Sequence, residues 1–216
     1  MKKITKIERQ RNNVNRISIF LDNEFAFGVD ESIFLEFGLC KDMELEEDYI
    51  EDVLRKEEYK KAENYAIYLI SQREYTEKKL RDKILSKGYN DDQCDKIVSK
   101  FAKYGYINDE SYAERFIRSK QKTSNQGKYK IKASLYEKGV DRDIISKYME
   151  EFDEDLELEK ATKLVKKKID SLKNKKLDKY KLRQKVTLYL SSKGYEYDVI
   201  RRAINNQDIE EEDYEI

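Results

Sequence analysis

Three Lys-Gly pairs set in the same apolar frame constrain this chain more than any other feature of its sequence. Lys87-Gly88-Tyr89, Lys138-Gly139-Val140 and Lys193-Gly194-Tyr195 recur at spacings of 51 and 55 residues. Eight positions before each glycine stand Leu80, Ile131 and Val186. Six positions after stand Cys94, Ile145 and Ile200, and ten after stand Val98, Met149 and Ile204. Ala62 and Ala113 lie 26 positions before their glycines, and Ala161 lies 33 before its own. The third copy therefore carries seven extra residues, placed near Leu172–Lys181. A glycine permits the left-handed exit from a helix, and apolar positions in fixed register seat a further helix on the two before it.

Local signals agree with this unit. Ala62, Tyr65, Ala66 and Leu69 fall on one helical face from about residue 58. Thr76 is a candidate N-cap for a helix through Leu80 and Ile84 that ends at Gly88. Asn90 with Gln93 has capping-box spacing, and Gly105 closes the helix that follows. Residues before this body read differently. Ile4–Glu8 alternates as a half-buried strand does, and Asp22-Asn23 separates Arg16–Leu21 from Glu24–Val29. Asn and Asp tolerate the positive φ of a two-residue hairpin turn. Asp30 is positioned to cap a short helix ending near Gly38.

The expected fold is mainly α: three tandem three-helix repeats in an elongated array, preceded by a small N-terminal β-hairpin module. The expected boundaries are 1–56 for the hairpin module, 57–106, 107–153 and 154–206 for the repeats, and 207–216 for an acidic, disordered tail.

Lys plus Arg and Asp plus Glu each number 45, yet the charges are segregated. Residues 1–57 carry 9 basic and 14 acidic groups, 58–205 carry 36 and 25, and 206–216 carry none and 6. A neutral total therefore hides a basic body suited to a polyanionic partner. Lys79, Lys83 and Lys87 recur every four residues and Arg115, Arg118 and Lys122 stand three and four apart, as on one helix face; Lys128, Lys130 and Lys132, then Lys181, Arg183 and Lys185, add cations along later helices. Such stripes suit phosphates or an acidic protein surface, although the wet side of an amphipathic helix has the same pattern.

Little else carries chemistry. Histidine is absent, which removes the usual near-neutral acid and base. No phosphate-cradling glycine loop occurs. Cys40 and Cys94 are too few for a four-thiolate zinc site or a disulfide scaffold, and Cys94 takes a core position filled by isoleucine in the other copies. No apolar run approaches the ~20 residues of a membrane helix. These features suit a cytoplasmic, non-catalytic binding protein without cofactors or metals, expected to be monomeric.

Several stretches resemble a known family, the RecX regulatory proteins. Ser71–Gly88, with Arg73, Leu80 and Lys87-Gly88-Tyr89, is similar to that family's first repeat. Gly105-Tyr106-Ile107-Asn108-Asp109-Glu110-Ser111-Tyr112-Ala113 is close to its most specific motif. Arg118-Ser119-Lys120, then Gly127 and Ile131 leading to Lys138-Gly139-Val140, matches the next segment. In the third repeat the resemblance rests on Lys193-Gly194 and the apolar register. It implies a cytoplasmic modulator of the RecA recombinase, lodged in the RecA–single-stranded-DNA filament and usually restraining its ATPase and strand exchange. Arg73, Lys120 and the cationic stripes become candidate filament- or DNA-facing residues. The alternative is a helical-repeat protein that binds DNA directly, without a recombinase.

Overall fold

The computed structural model describes residues 1–175 and 177–207, so the tail expected at 207–216 lies, from residue 208 on, outside the described residues. The chain divides into two compact units, Met1–Arg73 with Leu80–Tyr106, and Glu74–Lys79 with Ile107 onward.

The first unit opens with a sheet. Strands β1 (Lys2–Gln10), β2 (Asn13–Leu21), β3 (Glu24–Asp30) and β4 (Glu44–Leu45) pair antiparallel in the order β3-β2-β1-β4. The β2–β3 turn is the expected one, with Asp22 and Asn23 at φ of 50° and 72°. Ile4, Ile17, Ile19, Leu21, Phe27 and Val29 turn to one buried face. Helix α1 (Glu31–Glu36) closes over it, and the Asp30 carboxylate accepts the Ser32 amide at 2.9 Å. The expected hairpin is present as β2 and β3, and β1 and the short β4 extend it to a four-stranded sheet. Two residues are too few for β4 to show a period in sequence.

Helix α2 runs without a break from Glu47 to Gln72, so it starts some eleven residues before the helical periodicity read from the sequence. Val53 on its first half belongs to the sheet core, and Ala62, Ala66 and Leu69 on its second half are buried. Between them Glu57 occupies the same inward face and is 2% exposed. Arg16 Nη1 lies 2.8 Å from its carboxylate, and the Asp30 amide donates to it at 2.7 Å. A buried carboxylate in an apolar stripe interrupts the pattern by which helices are recognised.

The rest is helical: α3 (Glu77–Ser86), α4 (Asp91–Lys103), α5 (Asp109–Thr123), α6 (Lys128–Glu137), α7 (Arg142–Met149), α8 (Glu154–Leu172), a 3-10 turn at Lys173–Lys175, α9 (Lys179–Lys193) and α10 (Tyr197–Asn205). The expected repeat register is the buried register. Leu80, Ile131 and Val186, Cys94, Ile145 and Ile200, and Ala62, Ala113 and Ala161 are at most 1% exposed. Gly88, Gly139 and Gly194 have φ of 103°, 82° and 85°, the left-handed exit that the pattern requires. Most of the extra residues of the third copy lengthen the start of α9, which begins 15 positions before Gly194 where α6 begins 11 before Gly139. Asn90 caps α4 through the Gln93 amide at 2.9 Å. Gln93 does not return the bond of a capping box; its side-chain amide reaches Glu58 at 3.3 Å instead.

Within the second unit one polar joint is built twice. Thr76 and Gly127 each stand 12 positions before the register glycine of their own copy and precede α3 and α6. The Thr76 hydroxyl donates to the Lys138 carbonyl at 2.6 Å, and the Glu77 amide donates to Asp109 at 2.9 Å. Likewise the Gly127 and Tyr129 amides donate to the carbonyls of Lys193 (3.0 Å) and Gly194 (3.1 Å), and the Lys128 amide donates to Glu157 at 2.6 Å. Asp109 and Glu157 are equivalent residues, each four before its register alanine. In both joints an acid of the following copy accepts a helix-start amide that has no partner inside its own helix, and the Lys-Gly turn accepts the Thr76 hydroxyl in the first joint and two further amides in the second. Burial pushes the Asp109 and Glu157 carboxyls up, while the amide donated to each opposes the shift. Burial, with Glu157 nearby, also pushes the Tyr195 hydroxyl up to about 12.

Two outcomes follow from the joints. A Cβ at Gly194 would overlap Lys130, whose backbone nitrogen lies 2.6 Å from that position, whereas a Cβ at Gly88 meets nothing within 4 Å. Gly88→Ala is expected to cost the left-handed strain of about 1–2 kcal/mol, and Gly194→Ala clearly more, measured as urea midpoints on the two variants. For Glu157 the folded pKa is raised. Its contribution to stability is complete below the unfolded carboxylate pKa and is lost as pH rises through the folded one. Glu157→Gln keeps the acceptor for Lys128 and is expected to flatten that part of the stability–pH curve, while Glu157→Leu loses about 1–3 kcal/mol at neutral pH.

Candidate nucleic-acid interface

On α5 the core side is set by Ala113 and Ile117, and Arg115, Arg118 and Lys122 lie exposed on the opposite side, three and four residues apart. Arg115 Nε lies 3.0 Å from Glu74, and Arg118 Nη2 lies 3.1 Å from Glu114. Exposed pairs of this kind contribute about 0–1 kcal/mol. A phosphate, offering bidentate acceptors to each guanidinium, competes well with such partners. Lys120 leaves this stripe: it is half-buried, with its ammonium 5.4 Å from the Phe116 ring centre.

The α6 cations are divided in role. Lys128 belongs to the second joint through its amide, and its ammonium lies 3.0 Å from Glu154 and 5.5 Å from the Phe152 ring centre. Lys130 is exposed, but its stem covers Gly194 and its ammonium reaches the Ser192 carbonyl at 3.4 Å. Lys132 is half-buried. On α9, Lys181 and Lys185 are exposed and Arg183 is half-buried; the Lys181 ammonium lies 3.1 Å from the N-cap Asp178.

The remaining candidates lie near α3. Lys79 is half-buried in the first turn, within the second unit. In the first unit Arg73 is exposed at the end of α2, as are Lys83 on α3 and Lys87 in the turn after it, with the Lys87 ammonium 5.8 Å from the Tyr65 ring centre.

Three exposed tyrosines lie beside these cations and were not among the sequence candidates. Tyr180 is 68% exposed and shares the outer side of α9 with Lys181, Lys185 and the exposed Leu188. Tyr129 and Tyr136, seven residues apart on α6, are also exposed. Rings beside cations form stacking surfaces for unpaired bases. The available signal was spacing, since these tyrosines fall off the apolar register.

Catalytic geometry is weak by contrast. Among the described residues no group of three or more His, Cys, Asp or Glu side chains is placed to hold a metal ion. A groove of about 640 Å³ in the first unit is lined by Glu36, Asp52, Arg55, Lys56, Tyr59, Asp92 and Lys96 among others. Its charges pair with one another, Lys56 with Glu36 at 2.8 Å, Lys96 with Asp92 at 2.6 Å and Arg55 with Asp52. No described helix is long and apolar enough to cross a membrane.

Four family models match along the chain. Residues 2–46 match the regulatory protein RecX N-terminal domain. Residues 62–101, 108–149 and 154–204 match the first, second and third three-helix domains of RecX. A protein named regulatory protein RecX from Clostridium perfringens (strain 13 / Type A) is 38% identical over 214 residues, covering 97% of this chain and 100% of its own length. Its namesake in Clostridioides difficile (strain 630) is 35% identical over 202 residues, covering 94% of each chain. A crystal structure of regulatory protein RecX superposes with a TM-score of 0.77 at 27% identity over 95% of this chain and 100% of that one. RecX from Lactobacillus salivarius gives 0.64 at 28% identity over 71% of this chain and 98% of that one.

Proposed function

The chain belongs to the RecX family of regulatory proteins, and on that premise we propose that it binds the RecA–single-stranded-DNA filament and restrains its ATP hydrolysis and strand exchange. The observation that carries the reading is the exposed Arg115, Arg118 and Lys122 stripe on the side of α5 away from the core. Guanidinium groups held on a rigid helix meet phosphates or acidic side chains at little cost in side-chain entropy. Lys181 and Lys185 with Tyr180 on α9 add cations beside a ring. In this reading the protein acts by occupying the filament and opposing its conformational cycling, with no chemistry of its own, cofactor or metal, and it works in the cytoplasm as a monomer. The three helical modules and the N-terminal sheet module are its working parts, and holding a partner at several points makes each added contact nearly intramolecular.

Direct binding of single-stranded DNA is the second reading, favoured by the exposed rings of Tyr129, Tyr136 and Tyr180. Affinity for naked DNA that falls steeply with salt, with no change when RecA is added, would mark it.

The decisive measurement is RecA ATPase on single-stranded DNA with this protein titrated in. The wild type is expected to lower the rate. The double variant Arg115→Glu, Arg118→Glu should need about ten times more protein for the same effect, since opposite charges at a contact act through both encounter and retention. Its melting temperature should match the wild type, because the pairs it breaks are exposed. Full potency in that variant would remove α5 from the contact surface.

A further inference from the structure

The joint that occurs twice in the second unit has a third acceptor half, in the first unit. Gly88 is equivalent to Gly139 and Gly194, Lys87 to Lys138 and Lys193, and Tyr89 to Val140 and Tyr195. Glu58 stands four residues before Ala62, the position that Asp109 and Glu157 hold in their own copies. Gly88 is also in the left-handed region, at φ 103° against 82° and 85° for Gly139 and Gly194. Even the lysine contact is shared, since Lys87 lies over Tyr65 as Lys138 lies over Phe116, the equivalent residue.

What differs is cover and the partner of the acid, since Glu58 accepts the Gln93 side-chain amide at 3.3 Å. A Cβ at Gly139 would overlap Lys78, and one at Gly194 would overlap Lys130, so a helix start is seated on each. Nothing lies within 4 Å of the corresponding point at Gly88. Glu58, Lys87 and Gly88 are exposed and Tyr89 is half-buried, whereas Glu157, Gly194 and Tyr195 are buried and Asp109, Lys138 and Gly139 are half-buried.

We propose that Glu58, the Lys87-Gly88 turn and Tyr89 form a docking surface for the N-terminus of an α-helix of another protein, entering with a small N-cap residue and free first-turn amides. The occupied copies specify the occupant. Each receives a helix start whose N-cap position is Thr76 or Gly127, with amides or a hydroxyl donated to the turn carbonyls and one amide to the acid. The charges are complementary, since a helix start carries partial positive charge and this surface presents a carboxylate and carbonyl oxygens. A second copy of this chain is not the occupant, because both of its helix starts of this type are already engaged within its own second unit. The longer α9 does not supply a third, since its N-cap Asp178 accepts the Lys181 amide at 2.7 Å and closes that end. The proposal stands on the joint geometry and is independent of the RecA reading.

The test uses the full chain labelled with nitrogen-15 and a lactam-stapled peptide with the sequence 124–137 of this protein, its helicity checked by circular dichroism. Titration is expected to shift the amide signals of Glu58, Lys87, Gly88 and Tyr89. A peptide carrying Gly127→Leu should shift none of them, because the occupied joints hold only Gly127 or the small Thr76 at this position, and at Gly127 a Cβ already meets the Gly194 carbonyl. Glu58→Lys in the protein should weaken binding about tenfold, since one charge-assisted hydrogen bond is lost and a like charge is added. Absence of shifts at these four residues at millimolar peptide, or shifts confined to another surface, overturns the proposal.

Discussion

The amide groups at a helix start have no partner inside their own helix, and the second unit is organised around satisfying them. The starts of α3 and α6 donate to an acid and a Lys-Gly turn belonging to the next copy. Apolar packing alone is tolerant of rotation and sliding, whereas hydrogen bonds are directional. The joint therefore fixes the angle at which a helix start meets the following turn. It also explains why the Lys-Gly pair recurs: the glycine admits the left-handed φ, leaves its carbonyl accessible, and lets the neighbouring backbone approach within the space a side chain would fill.

The charged residues divide accordingly. Asp109 and Glu157 are buried or half-buried hydrogen-bond acceptors, and Lys128 and Lys130 lend their backbones and stems to the second joint. Arg115, Arg118, Lys122, Lys181 and Lys185 face solvent and rest on weak, exposed pairings or none of structural weight. Charge counting along the sequence treats both groups alike. Only the second group is disposed to exchange its partners for a phosphate or an acidic side chain without a cost to folding.

Glu57 shows the same theme in the first unit. Its carboxylate is buried, yet it ties β2 to α2 through Arg16 and satisfies the amide of Asp30, the residue that caps α1. One side chain thus holds the sheet, a helix start and the long helix together. Desolvation offsets much of the Coulombic gain of such a pair, while removing Arg16 alone would leave a costly, poorly compensated buried carboxylate.

Much of the fold was legible from local pattern. The Asp22-Asn23 turn, the Asp30 and Asn90 caps, the left-handed exits and the register of Leu80, Ile131 and Val186 each depend on residues near in sequence or repeated at fixed spacing. The start of α2 and the two-residue β4 were not legible, because a buried Glu57 and a bare pair of strand residues carry no period. For the candidate site, the sequence by itself determined that cations line the outer sides of α5 and α9, since helical spacing alone decides which side chains face away from the core. Only the tertiary structure decided that the α6 residues Lys128 and Lys130 are committed to a joint while Arg115, Arg118, Lys122, Lys181 and Lys185 face water. That outcome depends on contacts such as Lys128 with Glu157 and Thr76 with Lys138, between residues 29 and 62 positions apart. Chain spacing cannot encode such pairs, because they form only once separate helices are brought together by their buried faces.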